Sequence, residues 1–257
     1  MNAWEGKVAF VTGGGSGIGR AFAQLVAQRG GSVVIADINA DAAEETAQTI
    51  GTKALAIGMD VSNEGDVANA IDRATRRFGR IDMLHNNASL LDRNGAIEDM
   101  TIEAFRRVLD VNILGTFLCA RAVTPIMKRN GGGSIVNMSS RGGLRGQGHT
   151  LAYSTTKAGI VSFTRGLAEH LRPWDIRVNA LSVGLVETKM TRGGAYLETA
   201  RKEGRYVFQP EEMAIAIAWL ADKDTRTGAV LEYFGGDEGP QLRELKDFAF
   251  DALELQF

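Results

Sequence analysis

Tyr153 and Lys157 stand four residues apart in the run Tyr153-Ser154-Thr155-Thr156-Lys157. If the stretch from Tyr153 to about Arg172 is a helix, that spacing puts a phenol and an ammonium on one face, a single turn apart. The pairing has a chemical use. A free tyrosine titrates near about 10 and is a poor base at neutrality, while a positive charge beside it favours the phenolate. Such a tyrosine can pass a proton to or from a substrate oxygen. In a chain with four tyrosines and 29 Lys and Arg the spacing also arises by chance, so its meaning depends on the elements around it.

Those elements begin with an apolar run, Lys7 to Thr12, followed by Gly13-Gly14-Gly15-Ser16-Gly17-Ile18-Gly19 and an amphipathic stretch from Arg20 to Arg29. This is the pattern of strand, glycine turn and helix. Glycines let the backbone turn tightly and approach a ligand, and the helix start offers unpaired N–H groups and positive dipole to a pyrophosphate. The next strand, Ser32 to Ala36, ends at Asp37, roughly 20 residues beyond the loop, where an acid can grip the hydroxyls of a ribose. Its charge repels a 2′-phosphate, and neither Ser16 nor Ile38 is basic, so NAD is favoured over NADP. Alternatively Asp37 caps the helix that begins near Ala40.

Helix and strand patterns then alternate: Asp41 to Ile50, Lys53 to Gly58, Asp66 to Phe78 and Ile81 to Leu84. That alternation indicates a single-domain, Rossmann-like, doubly wound parallel α/β sheet, whose ligands sit at the carboxyl ends of the strands. Asp60-Val61 and Asn86-Asn87-Ala88 fall at such ends. Asp60 is placed to face an adenine amino group and the Asn run to brace neighbouring loops, or each simply makes a turn. Thr101 to Asn130 reads as one long helix, interrupted late by Pro125, with Asn112 in an apolar setting that demands hydrogen-bond partners. After Gly131-Gly132-Gly133 comes a strand, Ser134 to Met138, with Ser139-Ser140 at its carboxyl end. Beyond the helix of Tyr153 lie a strand, Ile176 to Leu181, a weakly patterned segment at about 184–209 that suggests a lid, a helix, Glu211 to Ala221, and a strand, Ala229 to Phe234.

Composition excludes other classes. Apolar residues make up 44% and charged residues 23%, enough for a sizeable core and against disorder. A net charge of −2 offers no broad basic surface to a phosphate backbone, which argues against nucleic acid as a partner. The single cysteine, Cys119, lies in an apolar segment and reads as a buried thiol, which fits a reducing, cytoplasmic setting. No apolar run approaches a membrane span, and the first residues lack a signal-peptide pattern. His85, His149 and His170 share no ligand spacing with Cys119 or with acid pairs, so no metal is expected.

Together, Thr12-Gly13 with Gly17 and Gly19, Asp60, Asn86-Asn87-Ala88, Asn112, Ser140, and Tyr153 with Lys157 make the chain resemble the short-chain dehydrogenase/reductase family over about Gly6 to Gly236. The resemblance implies about seven parallel strands, a homo-oligomer that is most often a tetramer, and a catalytic tetrad of Asn112, Ser140, Tyr153 and Lys157. It implies that Gly13, Ser16, Gly17, Ile18, Gly19, Asp37, Asp60, Val61, Asn87, Val186 and Thr188 hold NAD together with Tyr153 and Lys157. In this reading Tyr153 moves the alcohol proton while hydride passes between the nicotinamide and a secondary alcohol or ketone. Ser140 binds the substrate oxygen, Lys157 lowers the tyrosine pKa, and Asn112 holds a water. A reductase of 3-oxoacyl thioesters using NADPH is the alternative, and a non-catalytic cofactor sensor a more distant one.

The chain departs from the family at Val183, where proline is usual, and at Ser89, where glycine is usual. Substrate contacts are expected from Ser140, Leu144, His149, Leu185 and Met190, with Leu90, Leu91, Arg141 and Tyr196 as further pocket candidates. His149 also reads as a solvated loop residue, and Arg141, Arg145 and Arg192 either read a carboxylate or are simply exposed. Residues 1–239 form the catalytic domain in this scheme, and 240–257 a tail. In the tail Leu242, Leu245, Phe248, Ala249, Ala252 and Leu253 recur at helical spacing, which suggests docking on a neighbouring subunit or on its own.

Overall fold

A computed structural model describes residues 4–92, 96–192, 195–236 and 239–246. The glycine turn joins β1 (Val8–Thr12) to α1 (Gly17–Gln28), and strands and helices then alternate through β2 (Ser32–Asp37), α2 (Ala40–Ile50), β3 (Ala54–Gly58), α3 (Glu64–Phe78) and β4 (Met83–Asn86). The second half runs α4 (Ile102–Leu109), α5 (Gly115–Arg129), β5 (Gly133–Ser140), α6 (Arg141–Arg145), α7 (Leu151–Leu171), β6 (Ile176–Val183), α8 (Ala195–Lys202), α9 (Pro210–Asp222), β7 (Val230–Gly236) and β8 (Gly239–Glu244). The sheet order is β3-β2-β1-β4-β5-β6-β7-β8. The neighbours from β3 to β7 pair in parallel, as a doubly wound sheet requires, and β8 adds to β7 in antiparallel fashion.

Period-two alternation decides which helix layer each strand residue meets. In β1, Ala9 and Val11 join Phe22 and Val26 of α1 and Ile217 and Leu220 of α9 on one face. Val8 and Phe10 join Ile71 of α3, Val123 of α5 and Leu171 of α7 on the other. All five residues of β1 are buried, which is why the strand reads as a continuous apolar run rather than an alternating one. Asn39, Asn63 and Thr101 accept hydrogen bonds from backbone N–H groups at the starts of α2, α3 and α4. Asp37 therefore does not cap α2.

Three expectations need correction. The long helix is not regular: residues Asp110–Leu114 form a π-helical turn between α4 and α5, and the turn carries Asn112. Pro125 is accommodated within α5 without ending it. The stretch Ile102–Arg129 also reaches the length and apolarity of a membrane span, with an 18-residue window of mean hydropathy 1.3, but Leu118, Cys119, Val123, Ile126 and Met127 of that stretch are buried in the core against the sheet. Finally, the tail does not start as a helix. Leu242 lies in β8 opposite Tyr233, and Leu245 packs beside Val161, Ala180 and Val230 of the same chain. Phe248, Ala249, Ala252 and Leu253 lie outside the described residues. The weakly patterned 184–209 segment contains α8 and is pinned by a parallel bridge between Val186 and Phe208.

His85, in β4, illustrates the cost of charge in this core. It is fully buried, its Nδ1 lies 3.2 Å from the Val136 carbonyl, and its ring meets Phe22 edge-on. Burial lowers its pKa from 6.5 to about 4. Above the unfolded value this has no effect on stability. As pH falls from 6.5 to about 4, the unfolded chain takes up the proton first, and stability falls by on the order of 3 kcal/mol. Comparing denaturant midpoints at about pH 6 and about pH 4.5 should show roughly half of this loss in the unmodified protein and little of it in His85→Leu. An equal loss in both would remove the assignment.

Candidate active site

The carboxyl ends of β1, β2, β4, β5 and β6 border a cavity of about 330 Å³. Gly13, Ser16, Gly17 and Ile18 line it together with Asp37, Asp60 and Val61, and so do Asn87, Tyr153, Lys157, Thr188 and Met190. Most residues picked out in the sequence are thus brought together. Gly19 lies behind the loop instead, where an added Cβ would stand 2.3 Å from the Gly13 carbonyl oxygen, so it serves close packing. Gly13 and Gly17 have φ of +63° and +52°, a left-handed backbone that favours glycine. Val186 is buried and sits in the bridge to Phe208 rather than on the cavity wall.

The loop is tied to its neighbours by the Asn run and by Asp37. Asn87 Nδ2 donates to the carbonyls of Thr12 and Gly13, at 2.9 and 3.1 Å, and Asn86 Nδ2 donates to Asn137 Oδ1. Asp37 accepts from the Gly15 N–H through one carboxylate oxygen and from the Asn39 N–H through the other, both at 2.9 Å. Arg20 is committed elsewhere: it donates to the Gly15 carbonyl and to Thr46. Asp60 accepts from Ser62 and from Arg107, which lies 3.0 Å away. Burial opposes ionisation of Asp60, but those hydrogen bonds hold its pKa below the usual value.

On the cavity lining, α7 places Tyr153 and Lys157 on one face, with Lys157 Nζ 5.4 Å from the centre of the tyrosine ring. Lys157 Nζ donates to the Met138 carbonyl at 2.9 Å, and Ser139 donates to the Lys157 carbonyl. Ser140, which ends β5 and caps α6, accepts from the Gly142 N–H and hydrogen-bonds Tyr153. The expected lowering of the tyrosine pKa is not what this structure has. Burial raises the phenol above 10, and the Ser140 hydrogen bond only partly offsets it. Burial also pushes Lys157 down to about 7, so its ammonium is only partly present at neutrality.

Asn112 is saturated within the protein. Its amide donates to the Leu90 carbonyl and Thr156 Oγ1, and its oxygen accepts from Ser89 Oγ and the Leu90 N–H. Its side chain braces the loop after β4 against α7 and has no group left to hold a water. The same bonds account for Ser89, whose hydroxyl turns to Asn112. Val183 extends β6 until it pairs with Ser140 on one side and Tyr233 on the other.

Of the substrate candidates, Met190 and Leu90 line the cavity. Leu144 packs on Val161, Ala180 and Val230 and belongs to the core. Ser140, Leu185 and the exposed His149 stand outside the cavity lining. Arg141 pairs with the buried Glu232, its Nε 2.8 Å from the carboxylate, and Arg192 faces Glu187. The side chain of Tyr196 is outside the described residues. Sequence reasoning missed Asp92, which accepts from the N–H groups of Ala152 and Tyr153, at 3.0 and 2.7 Å, and so anchors the start of α7. No local pattern could have found it, because its partners are distant in sequence.

Close packing of α6 on α7 fixes Lys157 from behind. A Cβ on Gly143 would lie 2.5 Å from the Lys157 carbonyl carbon, so the helices cannot stay in place if one is added. Gly143→Ala is expected to destabilise by about 1–3 kcal/mol in urea titrations. An unchanged midpoint would show that the contact relaxes freely.

A sequence profile described as short chain dehydrogenase matches residues 7–195. The chain belongs to the short-chain dehydrogenase family. It is therefore an oxidoreductase of a family that uses nicotinamide cofactors. The cis-4-hydroxycyclohexanecarboxylate dehydrogenase of Sinomonas cyclohexanicum is 37% identical, covering 91% of this chain and 97% of that protein. The cyclohexanol dehydrogenase of an Acinetobacter species is 35% identical, covering 87% and 90%. The crystal structure of the 3-ketoacyl-(acyl-carrier-protein) reductase of Brucella melitensis complexed with NADH superposes with a TM-score of 0.84 at 36% identity, covering 89% and 96%. The residues present suit such a cofactor, because Gly13, Ser16, Gly17 and Ile18 bring the N-terminal end of α1 to the cavity, where backbone N–H groups can meet a pyrophosphate.

Proposed function

We propose that this short-chain dehydrogenase interconverts a cyclic secondary alcohol and its ketone with NAD(H), using Tyr153 as general acid and base. One observation carries the reading: Asp37, the glycine loop, Tyr153 and Lys157 all line one cavity. When bound, the nicotinamide would accept or return a hydride at the substrate carbon. Gly13, Gly17, Asp37 and Thr188 would hold the cofactor, and Ile38 and Met59 would flank its adenine end. Ser140 would hydrogen-bond the substrate oxygen and Tyr153 would move the proton. Lys157 would bind the ribose, and Asn112 and Asp92 would position the loop and helix around them.

The apolar surfaces of Leu90, Val111, Met138 and Met190 favour a ring without a charge near the reacting carbon. Both curated relatives named above act on substituted or plain cyclohexanols, which supports that class. The likeness to the 3-ketoacyl reductase favours a second reading, reduction of 3-oxoacyl thioesters. An absorbance assay for NADH formation with cyclohexanol, 4-hydroxycyclohexanecarboxylate and aliphatic secondary alcohols, set beside NADH or NADPH oxidation with acetoacetyl thioester, separates them. Turnover of the thioester alone would displace the cyclic-alcohol reading. The same reading places the enzyme in the cytoplasm as a homotetramer, with the 184–209 segment as lid over the substrate.

A further inference from the structure

Three cationic side chains line the cavity among the described residues: Arg107, Lys157 and Lys189. Two are engaged by the protein. Arg107 binds Asp60 and Ser62, and Lys157 donates to the Met138 carbonyl. Lys189 is exposed and makes no hydrogen bond or ion pair with the described residues. Its neighbours in the turn are satisfied among themselves. Thr191 Oγ1 donates to the Val186 carbonyl at 2.7 Å and accepts from the Thr188 N–H at 2.9 Å. Glu187, the nearest acid in sequence, faces Arg201 and Arg192 at 2.6 and 3.6 Å, so it does not draw Lys189 away.

The turn that carries Lys189 meets the start of α1 through Thr188. Thr188 Cγ2 would lie 3.2 Å from a Cβ added to Gly17, the first residue of that helix. This is where the glycine loop presents its N–H groups, and the loop brings no cation of its own. Arg20, in the first turn of α1, is turned back onto the Gly15 carbonyl, Thr46 and Glu45. A pyrophosphate carries about two negative charges, and backbone N–H groups and a helix dipole neutralise them only in part.

We propose that Lys189 is a cofactor-binding residue that supplies, from the 184–209 segment, the positive charge facing the pyrophosphate of the dinucleotide. This rests on the nicotinamide-dinucleotide reading of the cavity. An ammonium on a flexible stem suits the task, since it can close on a phosphate after the cofactor enters and needs no fixed geometry. The cofactor affinity of the protein then depends on salt through this residue.

The test is direct binding by the full-length protein, with no turnover involved. NADH and ADP-ribose are titrated against the unmodified protein, Lys189→Met and Lys189→Arg, at low and high salt, by fluorescence for NADH and calorimetry for ADP-ribose. Lys189→Met is expected to raise both dissociation constants by roughly threefold to tenfold and to flatten their salt dependence, with thermal stability unchanged. Lys189→Arg should stay within about twofold of the unmodified protein, because the charge remains. A Lys189→Met protein with unmoved dissociation constants and salt dependence overturns the proposal alone, as does a loss for NADH without one for ADP-ribose. Unmodified protein that binds neither ligand overturns the cofactor reading, and the proposal with it.

Discussion

Tyr153→Phe is expected to lower turnover by roughly 10² to 10⁴ while NADH binding stays within about twofold. The ring remains to fill its place beside Lys157, and only the hydroxyl bonded to Ser140 is lost. The proton is then without a carrier at the reacting oxygen. Single-turnover rates and a fluorescence titration, made on the same preparation, separate the two effects. Retention of most of the turnover would sink the assigned role, and a large loss of NADH affinity would show that the hydroxyl binds cofactor rather than moving a proton.

The direction of the tyrosine shift gives the same site an asymmetry. Burial holds the phenol protonated at neutrality, and Lys157, pushed to about 7, carries only part of its charge there. A protonated phenol is a ready donor, so reduction of the ketone needs no prior ionisation. Oxidation of the alcohol needs the phenolate. The rate of oxidation should therefore climb as pH rises above neutrality, while the rate of reduction stays level and falls only at alkaline pH. The spacing of Tyr153 and Lys157 suggested mutual activation, but spacing carries no information about desolvation, and in this fold desolvation dominates both groups.

That contrast marks what a sequence can convey. Strands buried on both faces are continuous apolar runs, and each switch to helical period was visible, so the parallel sheet and the glycine turn could be read directly. Side chains whose partners are near in sequence or fixed by the turn, such as Gly13, Gly17 and Asp37, fell where the pattern put them. The π-turn at Asn112 could not be read, because one extra residue in a helix leaves the apolar period nearly intact. Asp92 and Glu232 acquire their partners through long-range packing, and Arg20 is held in part by the distant Thr46, so which charges remain available to a ligand is decided by contacts that spacing does not show. The tail misled for a different reason. Leu242 and Leu245 fit a helical stripe, yet β7 offered an open edge, and pairing with it satisfies backbone groups that an isolated helix end would expose.

Asp37 should set the choice of cofactor. Its carboxylate lines the cavity beyond the glycine loop, where the ribose of a bound dinucleotide would present its hydroxyls. Each oxygen already accepts one backbone N–H, from Gly15 or Asn39, and each has a further lone pair for a hydroxyl. A 2′-phosphate in that position meets the carboxylate at a cost on the order of 2 to 4 kcal/mol at an effective dielectric near 20. That is roughly 30-fold to 1,000-fold in favour of NAD. The residues beside it among those described do not relieve it: Ile38 is apolar and 67% exposed, and Arg20 is held by Gly15 and Thr46. Asp37→Asn removes the repulsion and keeps the bond from the buried-side Gly15 N–H through its one amide oxygen, at the loss of the exposed bond from the Asn39 N–H. The ratio of kcat/KM for NAD and NADP should be large in the unmodified protein and shrink to within about tenfold in the variant, chiefly through better use of NADP. Equal use of the two cofactors by the unmodified protein would show that the carboxylate does not face the 2′ position.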